Sequence, residues 1–356
     1  MDFEFSEDQR LLADSVQRLL ADRADLRYVR AHYDDTAVVD DVWARLAEIG
    51  VVGLLAPESA GGAGRALVDL ALTIEAMGTA LYPGPFVASA VGAVTALRDL
   101  GPAAVAAQWL PRLADGSARG ALALTAGHAD PLRLTDGLLH GQAVHVLDGV
   151  AADLLLVVVE HDTIVGITPD TAGVEVVAAP TVDGSRKFAT VAFTGAAGDV
   201  VTHAHDAIAA ARDAFRVALV LDGVGAAQRA LELAVEYSRE REQFGHPIGS
   251  FQAVQHLCAD MLRAVELGRA AAYYAAWACD SAAATERHRA ATMASAFAAD
   301  GLYRVGANAI QVFGGIGFTW EHDIHLFYKR LLTLQLLDGS AADHLAELAS
   351  IVLPAG

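Results

Sequence analysis

The stretch Ser238-Arg239-Glu240-Arg241-Glu242-Gln243-Phe244-Gly245-His246-Pro247-Ile248-Gly249 ends one helical pattern and leads into a second that begins near Phe251-Gln252. Cations gather at the negative pole of the first helix, and a Gly-Pro turn follows. Helix chemistry accounts for any one of these residues. It does not account for an Arg, a Phe and a Gln around a single turn, where a guanidinium can clamp a phosphate and a ring can stack on a flat base. A second segment, Gln311-Val312-Phe313-Gly314-Gly315-Ile316-Gly317-Phe318-Thr319, has three glycines in four positions. Alone it reads as a helix C-cap with a glycine-rich turn. It also offers close backbone approach and amides for a pyrophosphate.

Working outward, the chain divides into three zones. Residues 205–356 are Ala-rich and helical, with runs near 207–241, 251–283, 290–312 and 324–337 and a last short run at 343–351. Long helices with short connections predict an antiparallel bundle. Residues 118–204 change character. Short runs at 120–125, 154–159, 163–168, 174–177 and 191–194 are bounded by Gly, Asp and Pro, the punctuation of an all-β module. Residues 1–117 read as helical. Ser6 with Gln9 fits a capping box, and Leu11, Leu12, Val16, Leu19 and Leu20 repeat at helical spacing. A loop with Pro57, Gly61, Gly62 and Gly64 precedes a second long helix through Leu67, Leu70, Leu72, Ile74 and Met77. The order helical, β, helical makes this an α+β chain.

Composition bounds the function. Hydrophobic residues make up 54% of the chain and mean hydropathy is +0.35, yet apolar stretches such as 154–159 and 217–221 fall far short of the ~20 residues of a bilayer span. The opening MDFEFSEDQR is acidic where an export signal needs cations, so the cytoplasm is the expected compartment. A net charge of −19 excludes nucleic acid as a partner and disfavours anionic membranes. Cys258 and Cys279 read as thiols packed as small hydrophobes. His322 and His325 lack the partners of a metal site, and none is expected. Arg287-His288-Arg289 reads as a polar loop. Tyr273, Tyr274 and Trp277 read as core or subunit interface.

Together the two glycine- and arginine-bearing segments resemble those of the acyl-CoA dehydrogenases. The similarity extends through FSEDQRLLADSVQRLLADR (5–23), GVVGLLAPESAGGAG (50–64) and Gly225-Ala226-Ala227-Gln228-Arg229-Ala230. The resemblance implies a helical N-terminal domain (1–117), a middle β-barrel or sandwich domain (118–204) and a C-terminal four-helix bundle (205–356). It further implies a dimer or dimer of dimers with FAD across a subunit interface, and α,β-desaturation of an acyl-CoA thioester. In that reaction a carboxylate takes the α proton while the β hydrogen leaves as hydride to the flavin. Carried over by position, Arg241 contacts the pyrophosphate, Phe244 lies against the adenosine and Gln252 serves the same end. Gln311, Gly314 and Gly315 line the adenosine diphosphate from the neighbouring subunit, and Thr125 serves the flavin ring.

The chain departs from that pattern at the reacting end. Where many members carry Glu-Gly-Thr after the last core helix, this chain has Asp338-Gly339-Ser340. Asp is shorter by one C–C bond, about 1.5 Å, and a displacement of that size can cost about a hundredfold when reach decides the geometry. Relatives that oxidise nitroalkanes use Asp there. Other members carry a Glu base on the helix before the Arg241 segment; that position falls on Phe215, beside Arg216, which matches a family arginine. Asp222, two turns on, is a poor substitute. In the β module, 124–130 keeps Thr125 and little else, and the Trp-Ile-Thr strand that covers the flavin reads His145-Val146-Leu147. Adenosine-end residues are kept and ring-end residues altered, as in the smaller partner-type subunits of actinobacterial hetero-oligomeric acyl-CoA dehydrogenases of steroid or other specialised acyl-CoA degradation. The expectation is a subunit that completes the FAD site of a homologous companion. The alternatives are a self-sufficient homo-oligomeric dehydrogenase, or a nitroalkane-oxidase-like flavoenzyme, with Asp338 as base and Arg216 beside the site.

Overall fold

Helix α1 (Glu7–Arg23) begins as its sequence dictates: Ser6 accepts the Gln9 N–H, and the Gln9 side chain reaches back to the Ser6 amide. The computed structural model describes residues 4–33, 41–101, 103–124 and 130–353. After α1 come α2 (Leu26–Tyr33), α3 (Val42–Ile49) and α4 (Ala71–Thr79). The long helix expected from Leu67 divides. Leu67–Leu70 is a 3₁₀ turn, and its first amide donates to Asp280 of the C-terminal bundle at 2.6 Å. A π-wound helix, Phe86–Ala93, runs into α5 (Val94–Asp99), and α6 (Ala104–Ala114) closes the zone.

The middle zone is a sandwich of two four-stranded sheets. One has the order β1 (Gly120–Ala123), β4 (Leu154–Val159), β5 (Thr163–Ile167), β8 (Asp199–Val201). The other runs β2 (Arg133–Thr135), β3 (Leu138–Leu147), β7 (Phe188–Ala197), β6 (Val174–Ala179). Only β1 and β4 pair in parallel. Ala121, Leu139, Val157, Val165, Val191 and Phe193 fill the space between the sheets. Strand β3 carries a bulge between Ala143 and Val146, where His145 takes φ +56°. Bulges re-aim side chains, and His145 is turned out to solvent.

The last zone holds α7 (His205–Glu240), α8 (Gln252–Ser281), α9 (Ala284–Phe313), α10 (Ile324–Leu336) and α11 (Ala341–Val352). Arg287-His288-Arg289, expected in a loop, belong to α9. Glu286 in its first turn pairs with Arg289, while Asp213 of α7 draws in both Arg287 and His288 at 2.9 Å. Helix α4 crosses α7 backbone to backbone: a Cβ on Gly78 would sit 1.9 Å from the Asp222 carbonyl, and one on Gly225 1.9 Å from that of Glu75. Glycine is the residue that permits such contact.

A buried ion cluster ties the three zones together. Arg330 of α10 donates to Asp222 of α7 at 2.9 and 3.0 Å, to Asp183 at 3.0 Å and Ser185 at 2.7 Å on the β6–β7 loop, and to the Leu81 carbonyl at 3.2 Å. Arg186 reaches Asp222 at 2.8 Å, and Tyr33 of α2 donates to Asp183 at 2.9 Å. Asp222 is thus committed to two guanidiniums, which outweigh its burial and hold its carboxyl below the usual range. Asp148, buried in the same cluster, is the opposite case. Burial pushes it up to about 6 despite Arg186 nearby.

Among the described residues no helix is long and apolar enough to cross a membrane, no acid, His and Cys group could hold a metal ion, and both cysteines are free.

Candidate functional site

At the C-terminal end of α7 the chain leaves the helix at Arg241 and makes a minimal hairpin, Glu242–Gln243 against His246–Pro247. Its tip, Phe244-Gly245, takes φ +56° and +79°. That left-handed turn throws the Phe244 ring outward, 89% exposed, with only an edge contact to Phe251 at 6.2 Å. The Ile248 N–H donates back to the Arg241 carbonyl at 2.7 Å and closes the turn. At the end of α9, Gly314 takes φ +65°, and a Cβ on either Gly314 or Gly315 would point into open space.

The two helix ends meet because α8 returns between α7 and α9, so both emerge on one side of the bundle. Tyr237 of α7 stacks on Phe313 of α9 at 4.3 Å. Tyr237, Arg241, Gln243, Phe313, Gly314 and Gly315 line a common cleft of about 500 Å³. The Arg241 segment and the glycines thus share one cleft within a single chain. Among the described residues, the Arg241 side chain forms no ion pair. Gln252 opens α8 and Gln311 lies in the last turn of α9, both exposed and outside the cleft lining. Thr125 lies outside the described residues. Tyr237 and Gln243 escaped the sequence reading, although Tyr237 stands one turn before Arg241.

A second cleft, about 350 Å³, opens between the β module and α10. His145, Val182 and Phe188 form one wall, and Leu332, Leu336 and Asp338 the other. Asp338 takes φ +62° and Gly339 +120°, after which Ser340 caps α11. Asp tolerates the left-handed region better than most residues, and the turn brings its carboxylate against α7. There the Arg216 Nε donates to Asp338 Oδ2, and its Nη1 donates to Glu347 of α11 at 3.0 Å. Burial works against the Arg216 charge, but Asp338 and Glu347 outweigh it and hold the guanidinium above its ordinary range. Glu347 also meets His288 Nε2 at 3.2 Å, and His288 Nδ1 meets Asp213 at 2.9 Å. The Asp213 hydrogen bond keeps that imidazole above its usual range.

The clefts thus differ in chemistry. A general base needs an oxygen free to face the substrate proton; at Asp338 the buried Arg216 guanidinium holds Oδ2 and leaves Oδ1. At the first cleft the arginine is exposed and uncommitted, beside backbone left bare by glycine. That set fits a phosphate-bearing cofactor. By the helical rise of about 1.5 Å per residue, Arg216 and Arg241 stand about 37 Å apart along α7, so the two clefts are separate sites.

Comparison with known proteins bears on this geometry. The acyl-CoA dehydrogenase N-terminal domain family matches residues 6–117, and the acyl-CoA dehydrogenase C-terminal domain family matches residues 206–353. Acyl-CoA dehydrogenase IpdE2 of Mycolicibacterium smegmatis is 32% identical over 332 residues, 91% of this chain and 92% of that protein. A variant of the Tcur3481-Tcur3483 steroid ACAD matches with a TM-score of 0.87 at 27% identity, covering 97% of this chain and 98% of that one. The ChsE4-ChsE5 complex from Mycobacterium tuberculosis shares the fold over 100% of both chains, with a TM-score of 0.89 at 24% identity.

Proposed function

Because the chain belongs to the acyl-CoA dehydrogenase family of FAD-dependent oxidoreductases acting on CH–CH groups, we propose that it serves as one subunit of a two-chain acyl-CoA dehydrogenase, completing the FAD site of a homologous companion. The observation that carries this reading is the contrast between the clefts: an exposed, unpaired Arg241 beside bare glycine backbone, against an Asp338 tied to Arg216. Bound FAD supplies the two-electron acceptance that desaturation of an acyl-CoA requires. This chain's part is to bind. Arg241 offers charge-assisted hydrogen bonds to phosphate, Gly314 and Gly315 keep the cleft wall at backbone height, and the Phe244 ring is free to stack on a base.

At the other end His145 replaces the family's indole in the sequence, and one oxygen of Asp338 is held by Arg216. The companion then brings the base and the ring-facing wall. The name of the Tcur3481-Tcur3483 steroid ACAD joins two components, which supports a two-chain assembly and a steroid-type acyl thioester as the favoured substrate class.

The test is Asp338→Asn in the two-chain complex, assayed with an acyl-CoA. A rate within about twofold of wild type is expected, since a difference that small corresponds to less than 0.5 kcal/mol of barrier. Loss of turnover with flavin retained would return Asp338 to the role of base. Activity of the lone chain, on an acyl-CoA or on a nitroalkane, would then identify a self-sufficient enzyme.

A further inference from the structure

Phe215 occupies the position where some family members carry the base on α7, a position that has to face the substrate α-carbon. In this chain it faces protein. The ring points at Gly92 in the π-wound helix: a Cβ on Gly92 would lie 2.9 Å from Leu122 Cδ1 of β1 and 3.3 Å from Phe215 Cδ2. Three elements from three zones therefore close on one another at a glycine. Phe215, Leu219 and Leu122 are each only 5% exposed, and every residue from Leu81 to Leu97 is buried. A channel wide enough for an acyl chain would leave its walls widely accessible to a water-sized sphere, and these walls are almost closed to one. π-Helical winding is rare and often marks a functional position; here the winding is kept and its face is filled.

We infer that Phe215 is a plug, occupying with Leu122 the space that an acyl chain would need on this chain's own side of α7, so that acyl thioesters are held by the companion alone. The neighbouring residue, Arg216, holds Asp338. Adjacent side chains of one helix thus close both the acyl space and the base. This inference rests on the partner-subunit reading, but its test does not depend on flavin or turnover.

The full chain, freed of flavin, is titrated by equilibrium dialysis with octanoyl-CoA and separately with CoA. The wild type is expected to bind the two alike, because the space beside Phe215 and Leu122 is filled. Phe215→Ala is expected to bind octanoyl-CoA at least about tenfold more tightly than CoA, the effect of burying a few methylene groups. Phe215→Leu, which disturbs packing less, shifts the preference in the same direction by a smaller factor and serves if the alanine variant fails to fold. A wild type that already prefers octanoyl-CoA tenfold, or a folded variant with no preference, overturns the plug. A lone chain that retains FAD yet shows no acyl preference would instead count against the partner reading and leave the plug standing.

Discussion

The clefts at Arg241 and Asp338 are built from similar parts: an arginine carried by α7, a left-handed turn and a neighbouring glycine. They differ in how the arginine is used. Arg241 lies at the helix end, exposed and without a carboxylate, and its turn holds the Phe244 ring out into solvent. Arg216 lies inside the helix, buried, with Asp338 and Glu347 both upon it. A guanidinium that is already neutralised stabilises the fold and has little left for a ligand. One that is solvated and unpaired contributes little to the fold and is free to bind. The same residue type is therefore a structural joint at one end and an uncommitted charge at the other.

The largest effect expected from that contrast is on stability. Arg216→Leu leaves Asp338 without its cation and Glu347 with His288 alone, and breaking a buried pair by removing one partner costs about 3–5 kcal/mol. The unfolding midpoint of the chain should fall by several degrees. An unchanged midpoint would mean the pairing is not structural. Arg241→Met should behave the opposite way. It leaves the midpoint in place and weakens flavin retention by the two-chain complex roughly tenfold to a hundredfold, the value of a hydrogen bond to a charged group, about 1.5–3 kcal/mol. Flavin release on dialysis measures it.

The cleft at Asp338 also sits beside buried charge, and the cleft at Arg241 does not. Asp148, raised from 3.8 to about 6, binds its proton more tightly in the folded chain than in the unfolded one. Its contribution to stability is therefore fullest below pH 4 and is lost as pH rises toward and past 6. Asp148→Asn removes this dependence. It should stabilise the chain at pH 7.5, by an amount on the order of 2 kcal/mol, and change little at pH 4; equal effects at both pH values would contradict the assignment. Smallest of all should be Phe244→Ala. With the ring so exposed the midpoint should not move, while flavin affinity should drop by about 1 kcal/mol if the ring stacks on the adenine.

Much of the fold was legible in local pattern. The Ser6–Gln9 box, the five C-terminal helices and β4 all follow from periodicity and turn residues. Strand β3 was not: His140, Gly141, Gln142 and His145 break any simple apolar run, because one face of the strand is wet and a bulge shifts its register. The 3₁₀ turn at Leu67 was hidden because its cap, Asp280, comes from a distant helix. The cleft that joins Arg241 to Gly314 and Gly315 was legible, since these residues lie in compact motifs. The pairing of Asp338 was not. Its partners Arg216 and Glu347 come from α7 and α11, and no local spacing joins them.

Whether this chain holds FAD for a companion and leaves the reaction to it is read from the flavin absorbance and acyl-CoA oxidation rate of the chain purified by itself and then co-expressed with a homologous chain bearing Glu at the base position. A lone chain with little flavin and no turnover is expected, and a complex with both. A lone chain that retains stoichiometric FAD and oxidises an acyl-CoA would overturn the partner-subunit reading.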